Sequence, residues 1–83
     1  MKLPRDIDGE ELARVLDKYG YKITRQTGSH IRLTSTIKGT DHHITIPAHN
    51  PLKIGTLSSI LNEVGSYLEM DRKSLIETLF EKL

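Results

Sequence analysis

Residues 27–51 read TGSHIRLTSTIKGTDHHITIPAHNP, and the organisation of the chain follows from this stretch. It contains all four histidines and two short runs, 31–33 and 44–46, in which apolar and polar side chains alternate. Such alternation is typical of a β-strand with one buried face. Lys38-Gly39 lies midway between the runs and predicts a two-residue turn, so the two strands should form an antiparallel hairpin.

The segment before this stretch predicts a helix that begins at Asp8. Asp8 and Glu11 have the spacing of a capping box, and Ile7 and Leu12 are placed to form a hydrophobic staple. Gly20 should end the helix in the left-handed conformation. Apolar side chains recur between these ends at helical spacing, at Leu12, Val15, Leu16 and Tyr19.

Three strands are predicted, over residues 21–26, 30–35 and 41–47, with a tight turn at 27–29. Their inward-facing residues should be Ile23, Ile31, Leu33, Ile44 and Ile46. Two helices should follow, the first capped by Thr56 and the second by Asp71. Their apolar positions are Leu57, Ile60, Leu61, Val64 and Leu68, then Leu75, Ile76, Leu79, Phe80 and Leu83. The expected fold is α+β, ordered α-β-β-β-α-α, with helices on one face of a three-stranded antiparallel sheet.

Length and composition narrow the class of protein. A chain of 83 residues has room for one core, so we expect a single domain over residues 1–83. Because there is no cysteine, disulfide and thiolate chemistry are excluded. The first residues lack the apolar run of a signal peptide, and no apolar stretch approaches the ~20 residues that span a bilayer. We therefore expect a soluble, cytoplasmic protein.

Charge is distributed unevenly along the chain. Residues 18–62 carry six basic side chains against one carboxylate, whereas residues 1–17 and 63–83 each carry three basic against five acidic ones. A basic middle segment indicates a polyanionic partner. The alternative is that acidic residues simply favour helix N-termini and leave the sheet depleted of them.

The composition of the solvent-facing side of the predicted sheet supports the interpretation that the chain binds a polyanion. Alternation places Lys22, Thr24, Gln26, His30, Arg32, Thr34, His43 and Thr45 there, a set with no carboxylate and no large apolar side chain. Cations and neutral hydrogen-bonding groups suit a phosphate backbone. Because aromatic side chains are missing, we expect contacts with phosphate and 2′-hydroxyl groups of RNA rather than base stacking. Ser29 and Lys53 complete the predicted RNA-binding set.

His30 is the predicted catalytic residue. Histidine transfers protons near neutral pH, and RNA carries its own nucleophile, the 2′-hydroxyl. A turn at Lys38-Gly39 pairs His30 with Pro47 and puts His43 about 13 Å away, at ~3.3 Å per residue. His49 should lie closer to His30 and is the candidate second acid or base. The alternative is that His30 is an exposed strand residue without a catalytic role.

Metal binding and cofactors are not predicted. His42 and His43 are adjacent in a strand and should point to opposite faces, and no helix carries two histidines at i, i+4. His42 should then be a structural residue on the core side. A hydroxyl at the start of the second helix, near Lys53, could also hold a phosphate, although a plain helix cap is the favoured interpretation.

Five segments together resemble the HicA (YcfA-like) mRNA interferase toxins of type II toxin-antitoxin systems. They are GEEL (9–12), YGY (19–21), RQTGSHIRL (25–33), HHITIPAH (42–49) and KIGTLSSIL (53–61). The resemblance implies the fold of double-stranded-RNA-binding domains, with the helix from Asp71 as an addition. It further implies metal-independent cleavage of mRNA, a catalytic histidine at His30, and a HicB-type antitoxin as partner.

Two other functions use the same features. A non-catalytic double-stranded-RNA-binding module would use the same basic face without cleaving RNA. A protein-interaction domain would direct the basic segment at an acidic partner, and its RNA affinity would not fall with salt.

Overall fold

The structure, a computed structural model that describes residues 6–80, contains three α-helices and a three-stranded antiparallel sheet. The helices are α1 (Gly9–Leu16, continued by a 3₁₀ turn over Asp17–Tyr19), α2 (Ile54–Leu68) and α3 (Arg72–Phe80). The strands are β1 (Lys22–Gln26), β2 (His30–Ser35) and β3 (His42–Pro47), with β2 in the centre of the sheet. The predicted α+β fold and its order of elements are confirmed.

α1 begins and ends as its sequence predicts. The Asp8 carboxylate accepts from the Glu11 N–H (2.8 Å) and the Glu11 carboxylate accepts from the Asp8 N–H (3.1 Å), which completes the capping box. Ile7 and Leu12, the predicted staple pair, are both buried in the core. Gly20 follows the 3₁₀ turn in the left-handed conformation, with φ = 80°.

The predicted register of the β2–β3 hairpin is confirmed, with His30 opposite Pro47. The prediction of a two-residue turn at Lys38-Gly39 is wrong, because a loop of six residues (36–41) separates the two strands. Ser35 Oγ accepts from the Ile37 N–H, and Thr36 O accepts from the Gly39 N–H (2.9 Å). These bonds satisfy backbone groups locally, so the chain leaves the ladder before Lys38-Gly39.

β1 departs from regular alternation at Thr24. Ile23 pairs with Leu33, but Arg25 pairs with Arg32, so Thr24 is the extra residue of a β-bulge. Ile23 faces the helix side of the sheet, as predicted and as its pairing with buried Leu33 shows, but it is 53% exposed there and not packed in the core. The reason is that α1 packs against β2 and β3 more fully than against β1, which lies at the edge of the sheet.

The core lies between one face of the sheet and the helices. Ile31, Leu33, Ile44 and Ile46 pack there with the predicted stripe of α2, Leu57, Ile60, Leu61, Val64 and Leu68. α2 begins earlier than expected, at Ile54, so Thr56 lies inside its first turn and is not the cap. The start of α2 is instead anchored by buried Leu52, whose N–H donates to Ile7 O (2.9 Å).

α3 joins the same core. The Asp71 carboxylate accepts from the N–H and the hydroxyl of Ser74, as predicted for a helix cap, and these bonds lower the pKa of Asp71. Leu75, Ile76 and Leu79 are buried, and Leu83 lies outside the described residues. Within residues 6–80, no helix has the combination of length and apolar character needed to span a membrane.

Candidate functional site

The face of the sheet opposite the helices is called here the polar face. Its side chains form rows across the strands, because paired residues project to the same side. Successive rows lie about 6.6 Å apart, at ~3.3 Å per residue. The first row contains His30 and Pro47, and the second row contains Arg25, Arg32 and Thr45. The third row contains Lys22, Thr34 and His43, and Thr24 lies beside Thr34 in this row.

His30 stands at the start of β2 with one side of its ring occupied. Its Nδ1 lies 3.0 Å from Ser29 Oγ. Its backbone is fixed by Thr27, whose Oγ1 accepts from the His30 N–H (3.1 Å) and whose N–H donates to His30 O (2.9 Å). The side chain is exposed, so Nε2 is the ring nitrogen that a ligand can reach.

Gly28 leaves open space in the turn before His30. An added Cβ would meet nothing within 4 Å, and the backbone is not left-handed at this residue. Neither internal packing nor backbone conformation therefore requires glycine here. A glycine in this position allows close approach of a ligand backbone.

The bulge at Thr24 exchanges two predicted positions. Gln26 was expected on the polar face, but it pairs with Ile31 and lines a groove beside α1, on the helix side. Arg25, which alternation assigned to the helix side, stands opposite Arg32 on the polar face. Sequence alternation missed Arg25 because one extra residue in a strand moves every later side chain of that strand to the opposite face of the sheet.

The cations of the polar face differ in their partners. Lys22 forms a salt bridge with Asp17, so a carboxylate borders the face that was expected to have none. Across residues 6–80, no other salt bridge is present, and Arg25 and Arg32 therefore stand opposite each other without a carboxylate. Like charges directly opposite in a sheet are unfavourable unless an anion lies between them.

A chain of hydrogen bonds crosses all three strands. Thr24 Oγ1 lies 3.2 Å from Thr34 Oγ1, which lies 2.8 Å from Nδ1 of His43. Thr24 Oγ1 also donates to the carbonyl of Arg32 (3.4 Å). The exposed His43 side chain is thus anchored to the sheet through Nδ1.

His49 lies near the His30 turn through its backbone. Its neighbour Ala48 donates an N–H to Ser29 O (2.9 Å), and His49 O accepts from the Gly9 N–H (3.1 Å). The residue lines an open hollow of about 260 Å³ beside the start of α1. No hydrogen bond within the described chain joins the His30 and His49 rings. Their partnership stays a prediction.

The remaining predicted residues are divided between the two layers. Thr45 lies on the polar face opposite Arg32, and Ser29 borders the face beside the His30 ring. Lys53 is exposed and immediately precedes α2, so it belongs to the helix layer. In the part of the chain that the structure describes, no three side chains of the types His, Cys, Asp or Glu cluster closely enough to hold a metal ion.

His42 is a structural residue, as predicted. Its Nδ1 lies 2.7 Å from the Tyr21 hydroxyl, and its ring stacks on Tyr67 with centroids 4.7 Å apart. Burial raises the pKa of Tyr21, and nearby Tyr67 and Glu63 add to this effect. The phenol therefore stays neutral and available as a hydrogen-bond partner for His42.

Comparison with protein families gives a match to the model described as HicA toxin of bacterial toxin-antitoxin, over residues 9–66. The chain belongs to the HicA toxin family. The matched residues run from the start of α1 into α2 and include the whole polar face, whereas α3 lies beyond them. Neither the curated proteins nor the solved structures gave a significant match.

Membership of the HicA family makes the protein a toxin of a toxin-antitoxin system, whose partner is an antitoxin. The family match covers the His30 turn and both strands that carry Arg25 and Arg32. The polar face is therefore part of the segment that defines the family.

Proposed function

We propose that this HicA-family toxin is an endoribonuclease that cleaves mRNA on its polar face, with His30 as the residue that transfers protons. The observation that supports this most directly is the geometry of His30. The ring is exposed, it is fixed through Nδ1 to Ser29, and Arg32 lies one row away on the same face. A HicB-type antitoxin would inhibit the toxin by covering this face.

The proposed reaction needs no metal ion or cofactor, because the nucleophile belongs to the substrate. His30 Nε2 removes the proton of a 2′-hydroxyl, and the 2′-oxygen attacks the adjacent phosphorus. The bond from phosphorus to the 5′-oxygen breaks, leaving a 2′,3′-cyclic phosphate and a 5′-hydroxyl. The leaving 5′-oxygen takes up one proton. Ser29 Oγ can donate to or accept from Nδ1, so it supports the ring in either tautomer.

The other polar residues would hold the substrate. Thr24 and Thr45 offer hydroxyl groups along the face, His43 offers an imidazole, and Lys22 adds a charge shared with Asp17. Lys53, at the start of α2, would contact RNA that extends past the sheet. His49 would supply the proton for the leaving oxygen, because its backbone lies beside the His30 turn.

The test is RNA cleavage by purified protein in the presence of a metal chelator, with folding of every variant checked by circular dichroism. His30→Ala should lower the rate by about 10²–10⁴-fold, the usual contribution of a general acid or base. His43→Ala is the comparison variant, since it removes an exposed histidine from the same face two rows away. Because His43 is assigned to substrate binding only, this variant should weaken RNA binding but retain most of the cleavage rate at saturating RNA. A His30/His49 double variant should lose little more than His30→Ala if the two residues act as a unit.

Two results would contradict the proposal. Cleavage by wild type and His30→Ala at the same rate would mean a contaminating nuclease or a different site. RNA binding without cleavage by the wild-type protein would identify a double-stranded-RNA-binding module instead.

A further inference from the structure

We propose that Arg25 and Arg32 form a clamp that binds a phosphodiester group of the RNA next to His30. The inference rests on the proposed function, because it specifies how the substrate of that site is held. The clamp is a product of the bulge at Thr24, which brings Arg25 opposite Arg32. Directly opposed residues in an antiparallel pair have Cβ atoms about 4.5–5.5 Å apart, which is close enough for two arginines to share one anion.

The arrangement is unfavourable in the absence of an anion. Two guanidinium groups repel each other across the strands, and no carboxylate within residues 6–80 forms a salt bridge with either. By contrast, Lys22 on the same strand is paired with Asp17. A phosphate between the two arginines would remove the repulsion and accept several charge-assisted hydrogen bonds.

The bulge itself is stabilised from the polar face. Thr24, its extra residue, donates through Oγ1 to the carbonyl of Arg32 and contacts Thr34 Oγ1. The position of Arg25 is therefore fixed by bonds to β2, the strand that carries His30 and Arg32.

The clamp is also correctly placed for the proposed chemistry. His30 and Arg32 are separated by one row, about 6.6 Å along β2 at ~3.3 Å per residue. A phosphate held in the second row would direct the neighbouring ribose towards the first row, where Gly28 leaves open space beside His30. We expect the same two charges to stabilise the dianionic phosphorane during cleavage.

The test measures RNA binding in the His30→Ala background, so that cleavage cannot interfere, with a short RNA hairpin as probe. Arg25→Gln should weaken binding about tenfold or more at low salt, because the charge-assisted hydrogen bonds from the guanidinium to phosphate are lost. The slope of log affinity against log salt should fall by about 0.7–0.9 for the lost phosphate contact. Lys22→Gln is the matched control on the same strand and should weaken binding less.

A second readout separates a binding role from a structural one. Arg25→Gln removes like-charge repulsion, so its melting temperature should equal or exceed that of the parent. Arg25→Lys should restore the charge but only part of the affinity, because lysine cannot form a bidentate pair. Arg32→Gln provides a second variant if Arg25→Gln fails to fold.

Unchanged affinity and salt slope in Arg25→Gln would overturn the clamp. Equal losses in Arg25→Gln and Lys22→Gln would also overturn it, since they would indicate general attraction of RNA to a basic surface. If the wild-type protein binds RNA through Arg25 but cleaves none, the clamp stands and the proposed ribonuclease function fails.

Discussion

At the scale of single residues, two glycines show different physical requirements. Gly9 begins α1 against the end of β3, and a Cβ there would lie 2.3 Å from the Pro47 carbonyl oxygen. Gly28 precedes the candidate catalytic histidine, and a Cβ there would meet nothing within 4 Å. The first glycine is needed for folding, whereas nothing inside the described chain explains the second.

The prediction is that Gly28→Ala preserves stability but lowers RNA cleavage. Alanine fits the turn, and its methyl group would occupy the space that an approaching RNA backbone uses. Gly9→Ala should instead lower the melting temperature, because α1 must move away from β3. Thermal unfolding and cleavage rates of the two variants provide the measurement. Full activity of Gly28→Ala would show that substrate does not approach this turn closely.

At the scale of the elements, a single hydroxyl connects α2 to the loop between β2 and β3. Tyr67, on α2, accepts from the Lys38 N–H (3.1 Å) and lies within donating distance of the carbonyls of Ser35 and Thr40. Its ring also stacks on His42 at the start of β3. The loop is six residues long but is thereby attached to the helix layer.

Tyr67→Phe should detach this loop while keeping the stacked ring. Loss of the hydroxyl leaves the Lys38 N–H without its partner, and we expect a cost of about 1–2 kcal/mol in the free energy of unfolding. Amide exchange at Lys38 should accelerate, whereas exchange within β2 should change little. Tyr19→Phe is the control, since the described residues include no hydrogen bond to the Tyr19 hydroxyl. Equal exchange rates in both variants would argue against the attachment.

At the scale of the whole molecule, α3 lies beyond the segment that matches the HicA family but belongs to the core. Leu75 is fully buried, and its Cδ2 lies 3.6 Å from the position of a Cβ on Gly65 of α2. α3 therefore covers apolar surface of α2 that would otherwise face water. A small domain depends on such burial because its total stability is about 5–15 kcal/mol.

Leu75→Ala should therefore destabilise the protein by about 2–5 kcal/mol, the usual cost of a large-to-small change in a core. Lys73→Ala, on the exposed side of the same helix, should stay within about 0.5 kcal/mol of wild type. Denaturant unfolding of the two variants gives the comparison. Equal midpoints for both would mean that α3 adds little to the stability of the core.

Charge is also organised at the level of the whole molecule. Glu10, Glu11 and Asp71 lie at the starts of α1 and α3, where a negative charge interacts favourably with the helix dipole. Other acidic residues lie elsewhere: Glu63 and Glu77 are inside α2 and α3, and Asp17 forms the salt bridge with Lys22. The basic polar face is therefore compatible with acidic residues at helix starts. It results in part from their placement there.

The sequence by itself determined the order of elements, the capping of α1 and α3, and the pairing of β2 with β3. These features have local causes: side-chain periods of two and of 3.6 residues, capping side chains, and glycine in the left-handed conformation. The same periodicity placed His30 and Arg32 on one face and His42 on the other. Residues 9–66 also contain enough of the HicA pattern to fix the family.

Only the tertiary structure decided which side chains of β1 face outward. The bulge at Thr24 exchanges Arg25 with Gln26, and it depends on hydrogen bonds to β2 that no periodicity within β1 encodes. Exposure of Ile23 likewise depends on how far α1 extends over an edge strand. Period-two alternation assumes an unbroken ladder, so a single extra residue reverses its result, and the proposed phosphate clamp exists because of that reversal.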